Sequence, residues 1–330
     1  MNEGDFSILR HPPGYTVDLD TLCAFERGLD PVHPEHSAIP ARVLGYGEIS
    51  TVFEIAQDSM RGLAFKRLSI FETRAELDAY ITTYEEYERL LEQEIGICLP
   101  PNGYAAFPGA NGRPMFYIIQ EQEPAASIGN ALIHTLSEEQ SLKLFSQLLH
   151  ELCKVWTFNG SQDRIKVGFD GQISNWSIQG LGGDAPPALC YVDTSTPLFR
   201  IEGAEQLNPV MFLRSAPSFL RWVLRLFFMD DVVNRYYDFR RVAVDAIANF
   251  YKEHKPELIP GLVQAANAFF AAECSIASFE PISEQEILAY YKEDAFIWRL
   301  YLGMRRLDRW LHRRLLGRRY PYILPGPITR

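Results

Sequence analysis

The period of the apolar residues changes along this chain, and that change limits its fold more than any other feature. Val43-Leu44, a glycine-rich turn and the stretch Thr51-Val52-Phe53-Glu54-Ile55-Ala56 read as two strands joined by a hairpin-like loop, and Leu63 to Leu68 reads as a third. Residues 75–93 then place Leu77, Tyr80, Ile81, Tyr84, Tyr87, Leu90 and Leu91 on one helical face, and Gly96 with Pro100-Pro101 ends that helix. Met115 to Ile119 has the composition of a buried strand and runs into the polar connector 120–124. Farther on, Ser137 is a fitting N-cap for a helix reaching about Trp156. The loop Gly180-Leu181-Gly182-Gly183 leads into a strand at 188–192, and residues 209–319 have helical character almost throughout. Strands gathered early and helices late predict an α+β fold, with a sheet-rich lobe, a helical lobe and a cleft between them. The expected divisions are an irregular Pro- and His-containing arm over 1–40, the sheet lobe over 41–123 and the helical lobe over 124–330.

With 330 residues, 47% of them hydrophobic, the chain has enough apolar surface to fill both lobes. A net charge of -10 argues against nucleic-acid binding by the surface at large. The exception is the end of the chain, where Arg305, Arg306, Arg309, Arg313, Arg314, Arg318 and Arg319 face only Asp308. Interleaved with Leu302, Leu307, Trp310, Leu311, Leu315 and Leu316, they predict an amphipathic basic helix. Such a helix suits an anionic substrate, an anionic partner or a membrane surface, or pairs with the acidic remainder of the protein. The five cysteines, Cys23, Cys98, Cys153, Cys190 and Cys274, are scattered and form no C-x-x-C pair; buried core thiols are expected, with neither a disulfide framework nor a zinc site. The first residues lack the basic and apolar regions of a secretory signal, and the apolar run 219–229 is short and broken by Arg221 and Arg225. These features lead to the expectation of a soluble, cytoplasmic protein.

Several residue groups fit chemistry in such a cleft, each beside a plainer reading. Gly45 and Gly47 let backbone N–H groups approach phosphate oxygens, as they also fit a tight β-turn. Lys66 shares a strand face with Ala64, which leaves room for a flat base beside an ammonium; an edge lysine in solvent reads the same way. Glu88, on the apolar flank of the helix, and Glu85 are candidates to fix the Lys66 rotamer. Asp170 and Asn175 lie five apart on a loop, where a carboxylate can take a proton from a hydroxyl and an amide oxygen can ligate a divalent metal; the segment also fits an Asx-turn. Asp193 ends the apolar strand, placed to ligate Mg²⁺ or to cap Thr194-Ser195-Thr196. Tyr236, Tyr237, Asp238 and Arg240 are candidates for acceptor recognition or ordinary helix residues.

Taken in order, these groups resemble the protein-kinase-like superfamily, nearest in style to small-molecule kinases such as the aminoglycoside and choline phosphotransferases. Residues 44–52 look like the G-x-G-x-x-G-x-V loop with Ser50 in place of the third glycine, followed by Val52. Ala64-Phe65-Lys66 is similar to the A-x-K of the third strand, Asp170 and Asn175 to D-x-x-x-x-N, and Asp193 to the aspartate of D-F-G. The resemblance spans about residues 41–200. It departs at Gly168-Phe169, where His-Arg is usual, at Thr194-Ser195 in place of Phe-Gly, and in having no Ala-Pro-Glu. It implies a bilobal kinase-like fold that binds ATP and Mg²⁺ and phosphorylates a hydroxyl of a small molecule or peptide. Asp170 and Lys66 would be catalytic, Asn175 and Asp193 metal ligands, and Gly45, Tyr46, Gly47, Ser50, Val52, Ala64, Lys66, Glu85, Glu88, Gln120 and Gln122 nucleotide-binding. The alternatives are a pseudokinase that binds nucleotide or acts as a scaffold, and a nucleotidyl transferase on the same fold.

Overall fold

The computed structural model describes residues 6–47, 49–109, 112–181, 187–208, 210–211, 214, 233–273, 279–314, 320 and 322–325. Glu48, Gly182, Gly183, the run 219–229, Cys274, Leu315, Leu316, Arg318 and Arg319 lie outside the described residues.

The expected α+β architecture is present. Six strands form one antiparallel sheet: β1 (Ile8–Arg10), β2 (Ala41–Tyr46), β3 (Ser50–Ile55), β4 (Leu63–Leu68), β5 (Asn102–Pro108) and β6 (Pro114–Glu121). Their order across the sheet is β1-β5-β6-β4-β3-β2. Helix α1 (Leu19–Gly28) covers one face, packing Leu22 and Phe25 against Phe53, Phe65 and Tyr117. Helix α2 (Arg74–Arg89) covers the other, packing Leu77, Tyr80 and Tyr84 against Leu68, Phe116 and Ile118. Each of these apolar side chains contributes about 1.5–3 kcal/mol on burial. With both faces covered, β4 is buried almost throughout, and the alternation of its pleat aims Lys66 away from α1.

Residues 8–29 correct the irregular arm. Asp18 caps α1 by accepting from Thr21 N at 3.1 Å, and β1 pairs with β5. The segment also carries Glu26, buried on α1, which forms a two-bond pair with buried Arg67 at 2.7 Å per bond and accepts from Tyr117 at 2.5 Å. Arg67 thus points to α1 while its neighbour Lys66 points to the cleft.

Below the sheet the chain continues through α3 (Glu138–Ser161), the short strands β7 (Ile165–Val167), β8 (Trp176–Gln179), β9 (Ala188–Tyr191) and β10 (Phe199–Ile201), then α4 (Phe239–Lys252), α5 (Ile259–Glu273) and α6 (Glu284–Arg314). Ser137 caps α3 in a reciprocal box with Gln140, as the sequence predicts. Leu148, Leu149 and Leu152 of α3 meet Val242 and Ile247 of α4 and Leu262 of α5 in one core.

Two expectations fail. Cys98 and Cys190 form a disulfide, with Cα atoms 4.6 Å apart. The strand-like segment at Cys98 lies beside β9, where Tyr191 N donates to Cys98 O at 2.7 Å; separation along the chain gave no sign of that proximity. Cys23 and Cys153 remain free thiols. On α6 the basic and apolar residues are not sorted as expected. Arg305 is buried over the rings of Tyr301 and Tyr322, whereas Leu307 and Trp310 are about half exposed. No described helix is long and apolar enough to cross a membrane.

Candidate active site

Strand register builds the roof of the cleft. Val52 lies opposite Lys66, Gly45 opposite Val52, and Ala64 opposite Gln120. Directly opposed residues share a face, so Val52, Ala64, Lys66 and Gln120 line one surface. Gln120 is buried, and its Nε2 has no hydrogen-bond partner. A buried amide donor left without an acceptor costs about 1–3 kcal/mol, which suits a site completed by a bound acceptor group. At Gly47 a Cβ would stand 2.6 Å from Ser50 Oγ, so a larger residue there would have to turn the serine hydroxyl aside. Tyr46 is 45% exposed, and the partly buried Gln122 amide reaches Glu54 at 3.5 Å, on the strand face that carries Val52.

The floor comes from two loops, one carrying Asp170 and Asn175 and the other Asp193. Lys66 Nζ donates to Asp193 Oδ1 at 2.8 Å, joining residues 127 apart in sequence. Asp193 also accepts from Ser195 N at 3.2 Å and Ser195 Oγ at 2.6 Å, so it is both a turn cap and the partner of the cleft lysine. Burial opposes its ionisation, but Lys66 and the Ser195 bonds hold the carboxyl below its ordinary value. Asn175 is brought alongside through its backbone, its carbonyl accepting from Val192 N at 2.8 Å.

Asp170 begins an Asx-type turn by accepting from Gln172 N at 3.2 Å. Burial, then the charges of Asp245 and Asp193, push its carboxyl up to about 7. Gly171 follows it because the chain there runs against α3 and α4; a Cβ would meet Leu152 and Val242 at 2.9 Å each. Behind Asp170, Asp245 on α4 accepts from Gln172 Nε2 at 3.0 Å and from Tyr290 of α6 at 2.8 Å. Arg235 donates to Tyr290 Oη at 3.0 Å.

The acidic helix differs from expectation in its partners. Neither Glu88 nor Glu85 holds Lys66. Buried Glu88 accepts from Arg10 of β1 at 2.6 Å and from Thr194 Oγ1 at 3.4 Å, and Glu85 accepts from Tyr104 at 2.8 Å. Burial pushes the Glu88 carboxyl up, against the pull of Tyr84 and Arg10. Arg10 reaches it because β1 is the sheet edge nearest α2, an arrangement hidden while residues 1–40 read as an arm.

Sequence reasoning placed the tyrosines of α2 on its apolar face but missed what their hydroxyls bind. Tyr80 donates to Ser195 O at 2.9 Å and Tyr87 to Gly168 O at 3.1 Å, so one helix face fixes the loops that carry Asp193 and Asp170. The signal was present in three hydroxyl-bearing rings at positions i, i+4 and i+7 of an otherwise apolar stripe. The candidate recognition residues of the helical lobe have structural work: Asp238 caps α4, Arg240 pairs with Glu286 at 2.6 and 2.7 Å, and Tyr237 donates to Glu205 at 2.9 Å. Tyr236 accepts from Arg235 at 3.1 Å.

A lysine on the third strand of the 41–68 sheet segment meets an aspartate at a strand end, beside the partly buried Asp–x₄–Asn loop, so the fold brings together the groups that carry the sequence resemblance. The chain belongs to DUF6206, a family of unknown function whose model matches residues 33–309. No curated protein matches it by sequence. Among solved structures it is similar to WaaP, determined in complex with acyl carrier protein, at 16% identity and a TM-score of 0.32 over 70% of this chain and 100% of that one. It is also similar to APH(2'')-IIia, determined with GDP and kanamycin, at 11% identity and a TM-score of 0.33 over 73% of this chain and 96% of that one.

Proposed function

We propose that this chain is an ATP- and Mg²⁺-dependent phosphotransferase acting on a hydroxyl of a small molecule or peptide. The observation that carries the reading is the Lys66–Asp193 contact across the cleft, with Asp170 close enough to feel the Asp193 charge. The donor set fits the nucleotide and metal that the resemblance implies. Asp193 and Asn175 offer hard oxygen ligands to Mg²⁺, and the unpartnered Gln120 amide supports a base bound beside Ala64. Gly45, Gly47 and Ser50 would form the phosphate lid, with Val52 on the roof. When bound, Mg²⁺ supplies neutralisation of phosphate charge.

The protein's own part is positioning and proton handling. Lys66 would orient phosphate oxygens, and its bond to Asp193 keeps the ammonium in the cleft. Asp170 accepts the proton of the attacking hydroxyl, and a carboxyl that titrates near neutrality suits that role. Transfer of a nucleotidyl group would use the same lysine and carboxylates, and product mass distinguishes the two. An anionic partner at α6 and a cytoplasmic setting belong to the same proposal; a reducing compartment would open the Cys98–Cys190 bridge.

Thermal stability with ATP, with and without Mg²⁺, tests the reading. At a hundredfold excess over Kd, ligand stabilises by about 2.7 kcal/mol. Asp193→Ala should lose the Mg²⁺-dependent part and all turnover, whereas Lys66→Met should lose nucleotide binding. Absence of stabilisation by any nucleotide would sink the proposal; binding without product would favour the pseudokinase.

A further inference from the structure

A second side-chain cluster lies outside the cleft, on the segment leading into β2. Pro34–His36 form one 3₁₀ turn with His33 as its N-cap, closed by His36 N donating to His33 O at 2.9 Å. Residues three apart eclipse in a 3₁₀ turn, so His33 and His36 rise from one side. Their rings stack with centroids 5.6 Å apart and planes 30° apart. Glu35 comes to the same place, its Oε1 3.3 Å from His33 Nδ1. One ligand atom from each of the three residues lies within 4.8 Å of the other two.

The backbone beneath is fixed and the side chains above it are open. Pro34 is buried, Asp30 N donates to Ser37 Oγ at 2.9 Å, and His33, Glu35 and His36 are not buried. Tetrahedral zinc with bonds of about 2.0–2.1 Å sets its ligand atoms about 3.3–3.4 Å apart. The His33–Glu35 pair already has that spacing, and rotation of the exposed His36 side chain closes the remainder. Two imidazoles and one carboxylate select a borderline transition ion over Mg²⁺ or Ca²⁺, which take oxygen ligands.

We infer that His33, Glu35 and His36 form a surface site for a divalent transition ion of the Zn²⁺ type, with water completing the coordination. The site shares no residue with the nucleotide reading. Tyr46 of the glycine loop lies close enough to feel the Glu35 charge.

The test uses the full chain without a histidine tag, stripped of metal and titrated with Zn²⁺ against a chromophoric chelator. The wild type should bind one more equivalent than His33→Ala/His36→Ala, and Glu35→Gln should weaken that equivalent by at least about tenfold. Loading with Co²⁺ should give visible ligand-field bands that the double variant lacks. All three positions are open to solvent, so the variants should melt with the wild type, and a matched Tm guards against misfolding. Equal stoichiometry and affinity in wild type and double variant would overturn the inference, as would displacement of Zn²⁺ by equimolar Mg²⁺.

Discussion

Asp170 occupies a position where its charge is costly, and that cost is measurable. Its folded-state titration is raised to about 7 by burial and by the charges of Asp245 and Asp193. The folded protein therefore binds the proton more tightly than the unfolded chain, and stability falls as pH rises from about 4 toward 7. Asp170→Asn removes the charge and keeps an oxygen to accept from Gln172 N. The variant should melt above the wild type at pH 8, by about 2 °C or more, and close to it at pH 4; melting curves at the two pH values check this. Loss of turnover in the same protein would join the stability gain to the catalytic assignment. The turn readings of Asp170 and Asp193 hold at this scale, because each carboxylate accepts from the backbone N–H two residues on. Glu88 was legible as a buried glutamate, but its partner was not, since Arg10 is 78 residues away.

At the scale of the element, α2 is the organiser. Its capping box at Thr73 and Glu76 and its apolar spacing are local, so its existence could be read directly. Its tyrosines hold the loops of the other lobe, while β1 holds its glutamates. Arg10→Ala should therefore act as a helix-docking variant. It leaves Glu88 buried without its cation, at a cost of about 2 kcal/mol, below that of a fully buried pair because Arg10 is partly exposed. Burial already raises the Glu88 carboxyl, and loss of Arg10 raises it further. The penalty should be small near pH 4 and grow as pH rises through the folded-state value. Chemical denaturation at pH 5 and pH 8 measures it; an equal penalty at both would remove Glu88 as the cause.

The whole molecule is tied across its lobes by contacts distant in sequence. Lys66–Asp193, Tyr80–Ser195, Tyr87–Gly168 and the Cys98–Cys190 bridge all join the sheet lobe and its following segment to the β8–β9 region and the loops beside it. The bridge closes a separation of 92 residues, for which loop entropy gives about 4.6 kcal/mol. Cys98→Ser/Cys190→Ser should lower Tm, and dithiothreitol should lower the wild type by the same amount without affecting the variant. A wild type indifferent to the reductant would remove the bridge from the stability of the fold.

By itself the sequence determined what depends on near neighbours. These features are the period-2 strands, the capped helices α2 and α3, the alternation that puts Lys66 opposite Arg67, and the turn residues around Gly47 and Asp170. Those follow from φ/ψ limits and pleat, which act within a few residues. Only the tertiary structure decided which carboxylate meets Lys66, which cation meets Glu88, and that residues 8–29 complete the sheet lobe. It also paired Cys98 with Cys190 and put Arg305 inside while Trp310 stays outside. Charge pairing and burial depend on distance in space, and the packing of whole elements sets that distance.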